Sequence, residues 1–343
     1  MTRRPAAGGT PAWRLTCRHE VATRWLTITA LTVLVAILAA SVPAQAQDTH
    51  LIVIVGVGGS EEHSAQFHQW AVAIVDAAKR RGVSDAHLTY LGEKLERDPA
   101  RIRGRSTRDN VTKTFADLAA RAKANDEVFA VLFGHGSFDG RQAAFNLPGP
   151  DLTVDDYKML LDKLRLQRVV FVNTASSSGG FLSALAGPGR AIVAATKTGG
   201  ERNETLFPGP FVEALAGEGA DRDRNGRVSV LEAFDYAKAK VSASYEQGGN
   251  ILTEHATLED GAAGKLAATL FLAPERSRTA EMASASPALR ALVEQRDALE
   301  RQIAELKLTK DSTDPAKYDQ ELERLLTDLA LKTRAIRDLE AKQ

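Results

Sequence analysis

The chain has 343 residues, enough for one large domain with an appendage or for two domains. Its 44 basic and 44 acidic side chains cancel, which removes any global electrostatic case for nucleic acid or an anionic membrane as partner. The one cysteine, Cys17, excludes an intramolecular disulfide framework, so stability must come from a packed core, with or without a metal.

The N-terminus reads as a targeting segment. Arg14, Arg18 and Arg24 precede an apolar run, Trp25–Val42, and Ala44-Gln45-Ala46 follows. A basic flank, an apolar centre and an A-x-A triplet describe a secretory signal over residues 1–46, cleaved after Ala46. The competing expectation is an uncleaved anchor, because the run at 25–42 is about long enough to span a bilayer. Either way the bulk of the chain is expected outside the cytoplasm, periplasmic or secreted. Cleavage would also leave the mature protein without a thiol.

Beyond the leader, strand-like and helical segments alternate. His50–Val57 is a β-branched apolar run closed by Gly58-Gly59, the pattern of a central parallel strand. His68–Arg81 has helical periodicity and stops at Gly82. His87–Leu91 reads as a second strand and Thr107–Ala124 as a capped helix. Glu127–Phe133 is a third strand, closed by Gly134-His135-Gly136. Thr153–Leu164 is a helix with Asp155 or Asp156 in its first turn. Arg168–Val172 and Ala191–Ala195 complete the strands. Such alternation favours a doubly wound α/β sheet, whose binding residues gather at the carboxyl ends of strands. Gly58-Gly59, Gly134–Ser137, Asn173–Gly180 and Thr196–Glu201 all fall there and are expected to converge on one rim.

Residues 276–286 are small and polar and read as a linker. Then Leu289, Leu292, Leu299, Ile303 and Leu306 recur at heptad-like steps, and Tyr318, Leu322, Leu325, Leu329, Ile336 and Leu339 repeat the pattern after a break at Asp311–Pro315. Residues 287–343 are expected to form an antiparallel helical hairpin or a short coiled coil. Its stripe either packs within the molecule or serves self-association or a partner.

The order of these motifs, from about His50 to Leu272, resembles the caspase-like fold shared with legumain-type cysteine peptidases. Four pieces carry the resemblance: the first strand with its glycines, the strand before Gly134-His135-Gly136, the strand before Asn173–Gly180, and Ala194–Thr205. It implies a three-layer α/β/α domain with a mostly parallel sheet over residues 47–275. It places His135 on the catalytic histidine and Ser176 on the nucleophile position, with the backbone N–H groups of Gly136 and Ser176 as the oxyanion hole. Glu201 and Asn203 fall on the loop that helps build the substrate cleft.

The departure is Ser176 where that family carries cysteine. A thiol ionises near neutrality, whereas a hydroxyl needs a well-placed base and an orienting group. Asp139 is a candidate orienter, and Ser177 and Ser178 are further candidate hydroxyls; a tight turn chosen for small side chains is the competing reading. The expected function is that of a pseudopeptidase binding a peptide or protein in a retained cleft. The alternatives are a serine-dependent peptidase or amidase using Ser176 and His135, and a structural envelope protein assembled through its coiled coil.

A second motif stands apart from the resemblance. Asp221–Glu232 matches the calcium-loop pattern D-x-[DN]-x-[DN]-G-x5-E. Asp221, Asp223 and Asn225 would offer side-chain oxygens, Arg227 its carbonyl and Glu232 both carboxylate oxygens to a structural Ca2+. Phe211–Ala216 and Val230–Tyr245 are expected as flanking helices. His63, His68 and His255 lack zinc spacing and read as surface or packing residues.

Overall fold

The computed structural model describes residues 47–124, 126–217, 219–261, 263–272, 286–308 and 314–340. The targeting segment expected over residues 1–46, most of the linker and the start of the break at Asp311 lie outside the described residues. Among the described residues, no helix is long and apolar enough to cross a membrane.

The sheet is built outward from Thr49–Val55 (β1), buried at every position, as a strand covered on both faces requires. It is flanked by Leu88–Gly92 (β2), beyond which lies Ile102–Arg105 (β3), and on its other side by Glu127–Phe133 (β4). The β1–β4 register is parallel and unbroken from Thr49 opposite Glu127 to Val55 opposite Phe133. A separate antiparallel sheet follows β4, made of Gly136–Phe138 (β5), Ala143–Phe145 (β6) and Leu152–Thr153 (β7). Arg168–Asn173 (β8) and Arg190–Ala194 (β9) then extend the main sheet in parallel, and Thr257–Glu259 (β10) closes that edge antiparallel.

Side-chain alternation along β1 divides the core. Leu51, Val53 and Val55 pack with Phe67 and Ile74 of helix Glu61–Arg80 (α1). Ile52 and Ile54 turn to the opposite face, toward Val111 and Phe115 of helix Arg108–Arg121 (α2) and Tyr157 of helix Val154–Leu161 (α3). A single turn, Leu182–Leu185 (α4), joins that second layer. Helices Pro208–Ala216 (α5) and Val230–Gln247 (α6) join α1 through Phe211 and Phe234. The domain is thus a three-layer α/β/α sandwich around a mostly parallel sheet.

Helices Pro287–Leu308 (α7) and Pro315–Glu340 (α8) pack through two clusters. Leu289 and Val293 meet Ile336, while Ile303 meets Leu325 and Leu329. Early α7 therefore faces late α8, so the pair runs antiparallel and the hairpin closes on itself. It also touches the domain, where Arg296 Nη1 donates to the Asn225 carbonyl at 3.0 Å.

At the amino ends of β1 and β4, opposite the rim, His50 Nε2 donates to Asp126 Oδ2 at 3.0 Å. The Asp126 carboxylate also accepts the N–H groups of Asp48 and Lys123. Burial holds the His50 imidazole below its ordinary range, and its buried Nδ1 has no hydrogen-bond partner among the described residues. Protonation would leave an unpaired buried N–H. A depressed histidine contributes stability above the unfolded-state value of about 6.5 and loses it as pH falls through that value. Urea unfolding between pH 7.5 and 5 should show stability falling below about pH 6.5, with a shallower fall in His50→Gln; an unchanged slope in the variant would refute the assignment.

Candidate functional site

The four strand-end loops do converge. Gly58 after β1 meets His135 after β4, whose Nε2 donates to the Gly58 carbonyl at 3.0 Å. The β4 loop meets the β8 loop where Gly136 faces Ser176. The β8 loop meets the β9 loop through the Ser177 N–H, which donates to the Glu201 carbonyl at 2.7 Å, and the Gly179 N–H, which donates to Thr196 Oγ1 at 2.7 Å.

Local chemistry sets where Ser176 sits. After β8, Asn173 Oδ1 accepts the Ala175 N–H at 3.1 Å, turning the chain out of the strand. Thr174 Oγ1 donates to the Leu132 carbonyl at 2.7 Å, tying that turn to the end of β4. Ser176 then lies against β5, buried, with its hydroxyl donating to the Gly136 carbonyl at 3.1 Å. The Gly136 N–H points back at the same oxygen, at 3.4 Å. A Cβ on residue 136 would meet the Ser176 carbonyl oxygen well inside van der Waals contact, so only glycine permits the approach.

That hydroxyl occupies a free strand edge. The N–H or C=O groups of His135, Ser137 and Asp139 face β6, so those of Gly136 and Phe138 face outward. Ser176 takes the Gly136 groups, and Arg202 Nη2 donates to the Phe138 carbonyl at 3.0 Å. Both Gly136 groups and the Phe138 carbonyl are thus engaged from the neighbouring loops.

The candidate base is oriented by a carbonyl, because Asp139 is engaged elsewhere. Its carboxylate accepts the N–H groups of Gln142 and Arg141, both at 2.8 Å, and these bonds hold its pKa below the usual carboxylate range. The Gly58 carbonyl can only accept, so Nε2 of His135 carries a proton. The ring stands edge-on to Phe67 and His63, with centroids 5.3 and 5.1 Å apart. His63 Nε2 in turn lies 3.0 Å from Glu204 Oε1. His135 and Ser176 are thus brought to one rim, each spending its hydrogen bond on a backbone carbonyl.

The remaining candidates divide. Ser178 is fully buried and its hydroxyl bonds with Thr196 Oγ1 at 3.2 Å, so it packs the turn. Ser177 holds a left-handed backbone at φ 58°, and its buried hydroxyl has no partner among the described residues. Glu201 accepts the N–H groups of Lys197 and His255, and its other oxygen lies 3.0 Å from His255 Nδ1. Asn203 is exposed. The sequence placed Gly58 at the rim but not its carbonyl against His135, a backbone contact without side-chain signal, and it gave no sign of the His63–Glu204 pair, which joins positions 141 apart in the chain.

The loop at Asp221–Glu232 brings three carboxylates together. One oxygen from each of Asp221, Asp223 and Glu232 lies within 4.8 Å of the others. Asp221 accepts the N–H groups of Asn225 and Gly226, and Asp223 also accepts that of Asn225. Glu232 accepts the N–H groups of Arg222 and Ser229 while closing a capping box with Ser229 at the start of α6. Burial, then the neighbouring Glu232 and Asp221 carboxylates, pushes Asp223 up to about 7.

No family model matches the sequence. No curated protein matches it. Among solved structures the chain is similar to the Drosophila initiator caspase Dronc, at 10% identity and a TM-score of 0.38 over 62% of this chain and 79% of that one. It is also similar to caspase-1 from Spodoptera frugiperda, at 12% identity and a TM-score of 0.41 over 62% and 86%.

Proposed function

We propose that this is an exported, caspase-like pseudopeptidase whose rim binds a peptide or protein segment without cleaving it. The observation that carries this reading is the Ser176 hydroxyl, whose proton is spent on the Gly136 carbonyl at 3.1 Å. A serine nucleophile needs its proton directed at a base, and here that proton is directed at main chain. A cavity of about 320 Å3 beside the β9 loop, lined by Lys197, Lys238, Glu254 and His255, supports binding of a segment that carries an acidic group. The hairpin supplies an arm for self-association, with Leu326 and Leu331 exposed on its outward face.

The competing reading, a serine-dependent peptidase or amidase, draws on the carbonyl that orients His135. A fluorophosphonate probe decides between them. The purified chain is expected to stay unlabelled, as are Ser176→Ala and His135→Ala; labelling of the native protein that both substitutions abolish would establish an activated serine.

The loop at Asp221–Glu232 is proposed to hold a structural Ca2+ through Asp221, Asp223, Asn225, the Arg227 carbonyl and Glu232. Bound there, the ion would relieve the crowding of three carboxylates at the foot of α6. Calcium at about one hundred times its dissociation constant should raise the unfolding free energy by about 2.7 kcal/mol over an EGTA control. Glu232→Gln, which keeps the helix cap, should lose most of that gain. Equal stability with and without calcium would remove the ion from the account.

A further inference from the structure

We propose that the cavity between the calcium-type loop and the hairpin is a binding site for a phosphate-bearing polyanion. Its volume is about 430 Å3, within the range of small-ligand sites. Five arginines from separate parts of the chain line it: Arg81 beyond the end of α1, Arg224 and Arg227 in the loop, Arg296 on α7 and Arg337 on α8. One carboxylate joins them, that of Asp221, and it already accepts two backbone N–H groups of its own loop. The Asp223 and Glu232 carboxylates lie within 4.8 Å of Asp221 and Glu300 lies beside Arg296, so the five arginines outnumber the nearby acids by one.

The cations are placed, and all five are guanidinium groups. Arg81 Nη2 donates to the Gly217 carbonyl at 3.1 Å and Arg296 Nη1 to the Asn225 carbonyl at 3.0 Å, while Arg296 Nε lies 3.6 Å from Glu300 Oε1. The Arg227 guanidinium stacks on the Phe271 ring, 3.7 Å from its centroid. Arg224 and Arg337 are exposed and make no ion pair among the described residues. Arg224 also holds a left-handed backbone, φ 60°, a conformation that costs any residue with a branched or long side chain. A planar fork of N–H donors matches the oxygens of a phosphate group in pairs, which a lysine ammonium does not. Convergent guanidinium groups repel one another, and an anion with two or more charges would turn that repulsion into attraction. Because the arginines come from both the domain and the hairpin, such a ligand would also clamp the hairpin in place.

The source is either a soluble phosphate compound or a phosphomonoester lipid headgroup, and two arms separate them. The purified chain is held in EGTA at constant ionic strength, so that calcium chelation plays no part, and titrated with pyrophosphate by calorimetry and thermal unfolding. It is also sedimented with vesicles containing phosphatidic acid. Saturating pyrophosphate should raise the melting temperature by about 5 °C, and the double variant Arg224→Gln/Arg337→Gln should bind about tenfold more weakly. Arg334→Gln, on the same helix but off the cavity, should bind as the native chain does. Pyrophosphate binding without sedimentation assigns a soluble ligand; sedimentation lost in the double variant assigns a headgroup. Absence of both, or equal binding by the double variant, overturns the site.

Discussion

The rim depends on one close approach, that of the Gly136 backbone to the loop that carries Ser176. With no side chain at residue 136, the two main chains meet and the Ser176 hydroxyl lies between them, bonded to the Gly136 carbonyl. That contact sets the others. It fixes β5 as an edge with both Gly136 groups held by Ser176 and the Phe138 carbonyl held by Arg202. It also holds the β8 turn where the Ser177 N–H reaches the Glu201 carbonyl and Glu201 reaches His255.

A second centre lies at the foot of α6. Glu232 belongs at once to the helix cap and to the acidic loop, so the start of the helix and the proposed ion site share one side chain. The same loop offers the Asn225 carbonyl to Arg296 of the hairpin. Cap, acidic loop and hairpin dock are therefore coupled through a few backbone groups. The bond from Arg296 is to a neutral carbonyl and not to a carboxylate, so the docking carries no ion-pair dependence of its own at that point.

The large elements were legible because their signals are strong. Buried β-branched runs at β1, β4, β8 and β9 and the heptad stripes of α7 and α8 are patterns that single side chains cannot blur. The strands missed were β3, β5, β6, β7 and β10, all of two to four residues. Segments that short have no period to detect, and they form because neighbours supply hydrogen-bond partners. The sequence also understated α1 by about two turns: Ser60 caps it, so it begins at Glu61 and not near His68. At the site, Ser176 and His135 were named by the resemblance, and both lie in the loops after β8 and β4. The Gly58 carbonyl that orients His135 was not, and Asp139, the carboxylate that proximity suggested, instead closes its own turn.

The most direct measurement is the stability of Ser176→Ala against the native chain, by urea unfolding with amide exchange followed at Gly136–Phe138. If the hydroxyl serves as a clip on the edge of β5, its removal should cost about 1 kcal/mol and speed exchange at that edge. A variant as stable as the native chain or more so, with exchange unchanged, would mark Ser176 as a residue held for chemistry at the expense of stability, and would contradict the pseudopeptidase reading.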